Sequence, residues 1–168
     1  MSDYKAEGAQ WARGVLDDPR TAVLDTETTG LKGYICEISV YDGEKFLIDT
    51  LVNPQAFMEP GAQRVHGITA EELAAAPVFA EIWPDLAKLI KGRRIVGWNA
   101  PFDAGVVTRE LVRLDVDPPW DLRWECAMRQ YSTWHHEDEY GSFIRLNGGH
   151  RAGQDCVAVF ERLREMAG

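Results

Sequence analysis

Residues 21–30 read TAVLDTETTG. The run from Thr21 to Leu24 is β-branched and apolar, the composition of a buried strand. Asp25 and Glu27 then follow two positions apart. Side chains at i and i+2 of a strand point to one face, so Val23, Asp25 and Glu27 share a side, with the carboxylates starting roughly 7 Å apart along the chain. Two like charges on one buried edge repel each other and lose solvation. A divalent cation between them removes both costs. A strand that stops at Leu24, leaving the acids in a solvated turn, removes them too, and this stretch alone leaves both readings open.

Upstream, residues 4–16 have the pattern of a short helix with Trp11 and Leu16 as packing contacts, and DDPR breaks the chain before the strand. Downstream, YICEISVYDGEKFLIDTLVNP (34–54) reads as two strands joined at Asp42-Gly43, a hairpin turn signal. Three consecutive antiparallel strands follow. The period then changes. TAEELAAA (69–76) opens with the threonine and glutamate of a capping box. Phe79, Ile82, Trp83, Leu86 and Ile90 have helical spacing up to Gly92, with Pro84 predicting a kink or a later start near Ile82. RIVGW (94–98) is a short buried strand and PFDAGVVTRELVRL (101–114) a helix. Residues 120–134 add a strand edge and a short helix, 135–149 read as loop, and 152–166 close as a helix with Cys156, Val159, Phe160, Leu163 and Met166 on one stripe. The helix between TAVLDTE and RIVGW lets those two strands lie parallel. The class is α/β, a mixed sheet with helices on its faces.

With 168 residues and no linker or repeat, a single domain is expected over 1–168, with residues 1–18 as a helical extension. No run of about 18 apolar residues suits a membrane span, and the first residues lack the basic-then-apolar pattern of a signal peptide. Cys36, Cys126 and Cys156 form no CxxC pair, which fits reduced thiols in a cytoplasmic protein and gives no structural zinc site. The net charge of −9 argues against broad, non-specific nucleic-acid binding. It leaves room for a nucleic-acid enzyme whose carboxylates hold metal ions.

Two further acidic positions stand out. Asp103 lies in line with Val106, Val107, Leu111 and Leu114 on the apolar stripe of its helix. It sits in the first turn, where an anion is worth about 0.3–1 kcal/mol against the helix dipole. Asp155 is one turn before Val159 and borders the buried face of the last helix, with His150 just ahead of the helix start and Gly148-Gly149 as a mobile mount for it. Four carboxylates beside apolar stripes, with no thiolate among them, point to hard cations, Mg²⁺ or Mn²⁺. Paired ions about 3.5–4 Å apart are the usual arrangement for phosphodiester cleavage.

The segments DTETTGL (25–31), VHGIT (65–69), WNAPFD (98–103) and HRAGQD (150–155) resemble, in order and spacing, the DnaQ-like or DEDDh family of 3′–5′ exonucleases. The resemblance implies a ribonuclease H-like fold with a mixed five-stranded sheet, three antiparallel strands and then parallel ones, flanked by helices. It implies two divalent cations, with Asp25, Glu27 and Asp155 on the first, Asp25 also reaching the second, and Asp103 helping to hold the second through water. It makes His150 the general base for the attacking water. It places Thr28, Thr29, Gly30, Leu31, His66, Ile68 and Asn99 around the 3′-terminal nucleotide, with Phe102 as a stacking surface. The implied partners are single-stranded 3′ ends, DNA before RNA, and a polymerase or repair complex, with no membrane. A catalytically silent binding module on the same fold, and an exonuclease for short oligonucleotides, are the alternatives. Trp98 stands where relatives often carry histidine, and no SL-x-x-L pattern precedes the third motif. That region instead holds Trp120, Trp124, Trp134, His135 and His136. The tryptophans read as packing, and His135-His136 with Glu137, Asp138 and Glu139 read as a solvated loop.

Overall fold

The structure, a computed structural model, describes residues 3–119, 121–138 and 142–168. Its elements run α1 (Tyr4–Leu16), β1 (Thr21–Thr28), β2 (Ile35–Tyr41), β3 (Phe46–Leu51), α2 (Pro60–His66), α3 (Ala70–Ala74), α4 (Phe79–Ile90), β4 (Arg94–Gly97), α5 (Ala100–Arg113), β5 (Arg123–Cys126), α6 (Ala127–His136) and α7 (Ala152–Ala167). The sheet has five strands in the order β3-β2-β1-β4-β5. β1, β2 and β3 pair antiparallel, while β4 lies parallel to β1 and β5 parallel to β4. This is the mixed ribonuclease H-like sheet that the motif set implied.

The alternation along β1 divides the core. Ala22 and Leu24 pack with Ile38, Val40 and Ile95 under α4 and α5, through Leu86, Ile90, Val106 and Leu111. Val23 faces the other way and packs with Val96 under α1, α6 and α7, through Val15, Tyr131, Val159 and Leu163. Trp11 and Leu16 pack against this second cluster, as the helix pattern of residues 4–16 required.

Several boundaries differ from the sequence reading. β1 does not stop at Leu24; it pairs with β2 through Asp25↔Ser39 and Glu27↔Glu37 before a register shift at Thr28. α4 starts at Phe79 and runs through Pro84 to Ile90. Pro84 is on the exposed side of α4, where one missing N–H costs little core structure. α6 takes in His135 and His136; His135 stacks on Tyr131 at 5.9 Å, and His136 Nε2 lies 3.1 Å from the Ser142 carbonyl. Trp124 and Trp134 pack against the two core clusters. Trp120 and Glu139 lie outside the described residues. α2 was not anticipated, although Pro60 at its first turn and Gly67 in the left-handed region at its end are standard start and stop signals.

Candidate active site

The division of β1 between two faces builds the site. Asp25 and Glu27 follow Val23 onto the α7 side, and Thr26 follows Leu24 onto the α5 side. α7 lies across β1 and β2, with Cys156 Sγ 3.6 Å from both the Val23 and Ser39 carbonyls. Asp155, in the first turn of α7, therefore meets the two acids of β1. Oxygens of Asp25, Glu27 and Asp155 all lie within 4.8 Å of one another, the one such trio of metal-competent groups among the described residues. The donors are all carboxylate oxygens, the set that suits a hard divalent cation.

Asp103 reaches the same end of β1 from the opposite face. It is buried on α5, and its Oδ1 accepts from Thr26 N at 3.0 Å and Thr26 Oγ1 at 2.8 Å. It stands outside the trio, held by the residue between the two strand acids. The four carboxylates are electrostatically strained without a cation. Burial, and then Asp103, Asp155, Glu27 and Glu37, push Asp25 well above the usual carboxylate range. Burial, then Asp155 and Glu37, push Glu27 up to about 8. Burial pushes Asp103 up to about 7 against its Thr26 hydrogen bonds, and burial also raises Asp155. A bound cation relieves the repulsion and the desolvation together.

His150 is exposed, with φ 54°, two residues before α7 begins. The glycines before it, expected as a mobile mount, are instead packed against Asp155. Gly149 N donates to Asp155 Oδ1 at 2.9 Å, and a Cβ on Gly148 would stand 1.8 Å from the same oxygen. The backbone is packed against the metal-competent side chain.

Beside Glu27 lies a cavity of about 420 Å³. Of the residues expected around the nucleotide, Thr28, Gly30, Leu31, His66 and Phe102 line it, and so do Thr26, Glu59, Gly61, Ala62 and Val65, which were not among them. Thr29, Ile68 and Asn99 are not in its lining. Ile68 is buried beside Cys36 and Leu73, Thr29 Oγ1 accepts from Tyr34 N at 3.0 Å, and Asn99 is exposed ahead of α5. His66 is largely spoken for by the protein: Nδ1 accepts from Ile68 N at 3.1 Å and Nε2 faces the Thr28 carbonyl at 3.3 Å. Burial lowers its pKa, so the ring is neutral and ties α2 to the end of β1. Thr26 was legible in principle, because the alternation that groups Asp25 with Glu27 sends it to the Asp103 side. Glu59 and Ala62 needed α2 to be recognised first, whereas Val65 opens the VHGIT segment.

The sequence model of the RNase_T family, described as exonuclease, matches residues 22–161. The chain belongs to the DnaQ-like exonuclease family. It is 34% identical over 113 residues to the DNA polymerase III subunit epsilon of Pasteurella multocida, covering 58% of this chain and 44% of that protein. It is 34% identical over 145 residues to a protein of Escherichia phage 186 described as uncharacterized exonuclease CP81, covering 82% of this chain and 74% of that one. Among solved structures, Exonuclease X in complex with 5′ overhanging duplex DNA superposes with a TM-score of 0.64 at 24% identity, covering 87% of this chain and 90% of that one; it shows the shared fold. The chain spans about half the length of the epsilon subunits it matches, or less. Among the described residues of this DnaQ-like chain, no helix is long and apolar enough to cross a membrane.

Proposed function

We propose that this chain works as a single exonuclease domain that hydrolyses the last phosphodiester bond at a single-stranded 3′ end and releases nucleoside 5′-monophosphates. The observation that carries the reading is the carboxylate trio of β1 and α7 in a DnaQ-like exonuclease chain. Asp25, Glu27 and Asp155 would hold one Mg²⁺ or Mn²⁺, and Asp103 with Asp25 a second. The cations supply an activated water and support for the leaving oxygen. His150 takes the proton from the attacking water; exposed just ahead of the helix that carries Asp155, it can exchange that proton with solvent. The 420 Å³ cavity receives the terminal nucleotide, with Phe102 and Leu31 as apolar walls and Glu27 in its lining. DNA is the favoured substrate, in keeping with the names of the epsilon relatives. A polymerase or repair complex is the partner class those names point to.

The test is a gel assay on 5′-labelled DNA and RNA oligomers of several lengths, with Mn²⁺ or with EDTA. Stepwise shortening from the 3′ end in Mn²⁺, lost in EDTA, is the expected result; full cleavage in EDTA, or binding without shortening, would overturn the proposal. Asp25→Ala and Asp155→Ala abolish cleavage. His150→Ala lowers it by roughly 10²–10⁴-fold, and wild-type rates from that variant would remove the general-base role. The dependence on oligomer length separates a general exonuclease from one confined to short substrates, which the net charge of −9 would suit.

A further inference from the structure

Asp155 and His150 come to the site on α7 and on the segment just before it, and a third acid governs where that helix begins. Glu37 on β2 stands directly across from Glu27 on β1, so both side chains lie on the α7 face. Glu37 is buried, yet it is not one of the trio. Its Oε1 accepts from Arg151 Nε at 3.0 Å and Arg151 Nη2 at 2.6 Å; its Oε2 accepts from Arg151 Nε at 3.0 Å and Ala152 N at 2.9 Å. The single Nε proton is shared between the two oxygens, so three N–H donors hold the carboxylate.

Arg151 is the residue at which α7 starts, and it makes no side-chain cap of its own. The Ala152 N–H is among the first-turn donors that helix geometry leaves without an internal partner. Glu37 supplies that partner from the sheet. Upstream, the Ile144 carbonyl accepts from Trp98 Nε1 at 3.2 Å and Ile144 N donates to Ser132 Oγ at 3.0 Å. The stretch that carries His150 is therefore tied down at Ile144 on one side and at Arg151 on the other.

We propose that Glu37 and Arg151 act as a pair of positioning residues, fixing the start of α7 and through it the placement of His150 and Asp155. The proposal rests on the exonuclease reading. Glu37 touches neither substrate nor cation: with its oxygens committed to Arg151 and Ala152, it stays off the ions despite facing Glu27. Loss of the Arg151 side chain leaves a buried carboxylate with one donor beside the trio, and leaves the end of the His150 segment held only by the Gly149–Asp155 and Ala152–Glu37 bonds.

The experiment compares Arg151→Ala, Arg151→Lys, Glu37→Gln and the double variant E37Q/R151A in the full chain. Cleavage of a 5′-labelled oligonucleotide is followed as Mn²⁺ and substrate are varied, alongside far-UV circular dichroism and thermal melting. Arg151→Ala is expected to lower kcat by roughly 10- to 100-fold and to raise the Mn²⁺ concentration for half-activity, with KM for the oligonucleotide within about twofold. Arg151→Lys keeps the charge but not the forked contact, so its kcat falls between wild type and Arg151→Ala. Because the two residues work as a unit, the double variant should be no slower than the worse single one. Variants that melt early but retain wild-type kcat, or single losses that multiply in the double variant, would overturn the proposal. If Arg151→Ala does not fold, Arg151→Lys decides: reduced kcat supports the pair and wild-type kcat overturns it. Absence of cleavage by the wild type would remove the exonuclease reading itself, whereas cleavage indifferent to all these variants would remove this inference alone.

Discussion

A carboxylate surrounded by other carboxylates needs either a proton or a cation, and Asp25 is in that position. Its neighbours are set by contacts that single substitutions can test. Gly148→Ala would place a Cβ 1.8 Å from Asp155 Oδ1, so the carboxylate must move. The expected result is folded protein with a several-fold higher Mn²⁺ requirement, measured by titrating the ion against cleavage rate. Thr26→Val removes the hydroxyl that donates to Asp103 at 2.8 Å and keeps the backbone donor. Stability should fall by about 1–3 kcal/mol in urea denaturation, the cost of a buried acceptor that loses a partner. The residues of the trio were legible because their signals are periodic: two positions on a strand, and one turn of a helix beside Val159. Glu37 and Arg151 were not legible in this way. They are 114 positions apart, and their meeting depends on a strand register that no local pattern encodes.

At the scale of elements, the long periodic segments were readable and the short ones were not. The apolar stripes of α5 and α7 announced both helices, and the stripe residues are buried except Leu114, half-buried at the end of α5. α2 spans seven residues, too short for periodicity to register, although it lines the 420 Å³ cavity beside Glu27. Its end depends on Gly67 at φ 73°, where an added Cβ would meet no other atom. Gly67→Ala therefore isolates backbone strain, and should cost about 1 kcal/mol of stability by thermal melting. A change in the affinity for a 3′-terminal nucleotide is also expected, because Val65 and Ala62 move with the helix. α6 outran its predicted end because His135 stacks on Tyr131, a contact one turn back that composition alone does not reveal.

For the whole molecule, strand order was legible as far as chain order allowed. Consecutive strands joined by a tight turn pair antiparallel and intervening helices let β1 and β4 run parallel, whereas the place of β5 beside β4 had no local signal. The cost of the site is also a property of the whole fold. Glu27, raised from 4.5 to about 8, and Asp103, raised from 3.8 to about 7, keep protons in the folded chain that the unfolded chain has already released. The folded state then binds more protons between those limits, so its stability is greatest below about pH 4 for these groups and falls as pH rises towards about 8. In EDTA the melting temperature should drop between about pH 5 and pH 8, and Mn²⁺ should raise it more at the higher pH. A melting temperature that rises with pH in EDTA would contradict the burial of these acids. The trio also joins an early strand to a late helix. While the chain is still emerging from a ribosome, before α7 is free to dock, only Asp25 and Glu27 of that trio are in place. The complete set of three carboxylates therefore assembles only after α7 has left the ribosome.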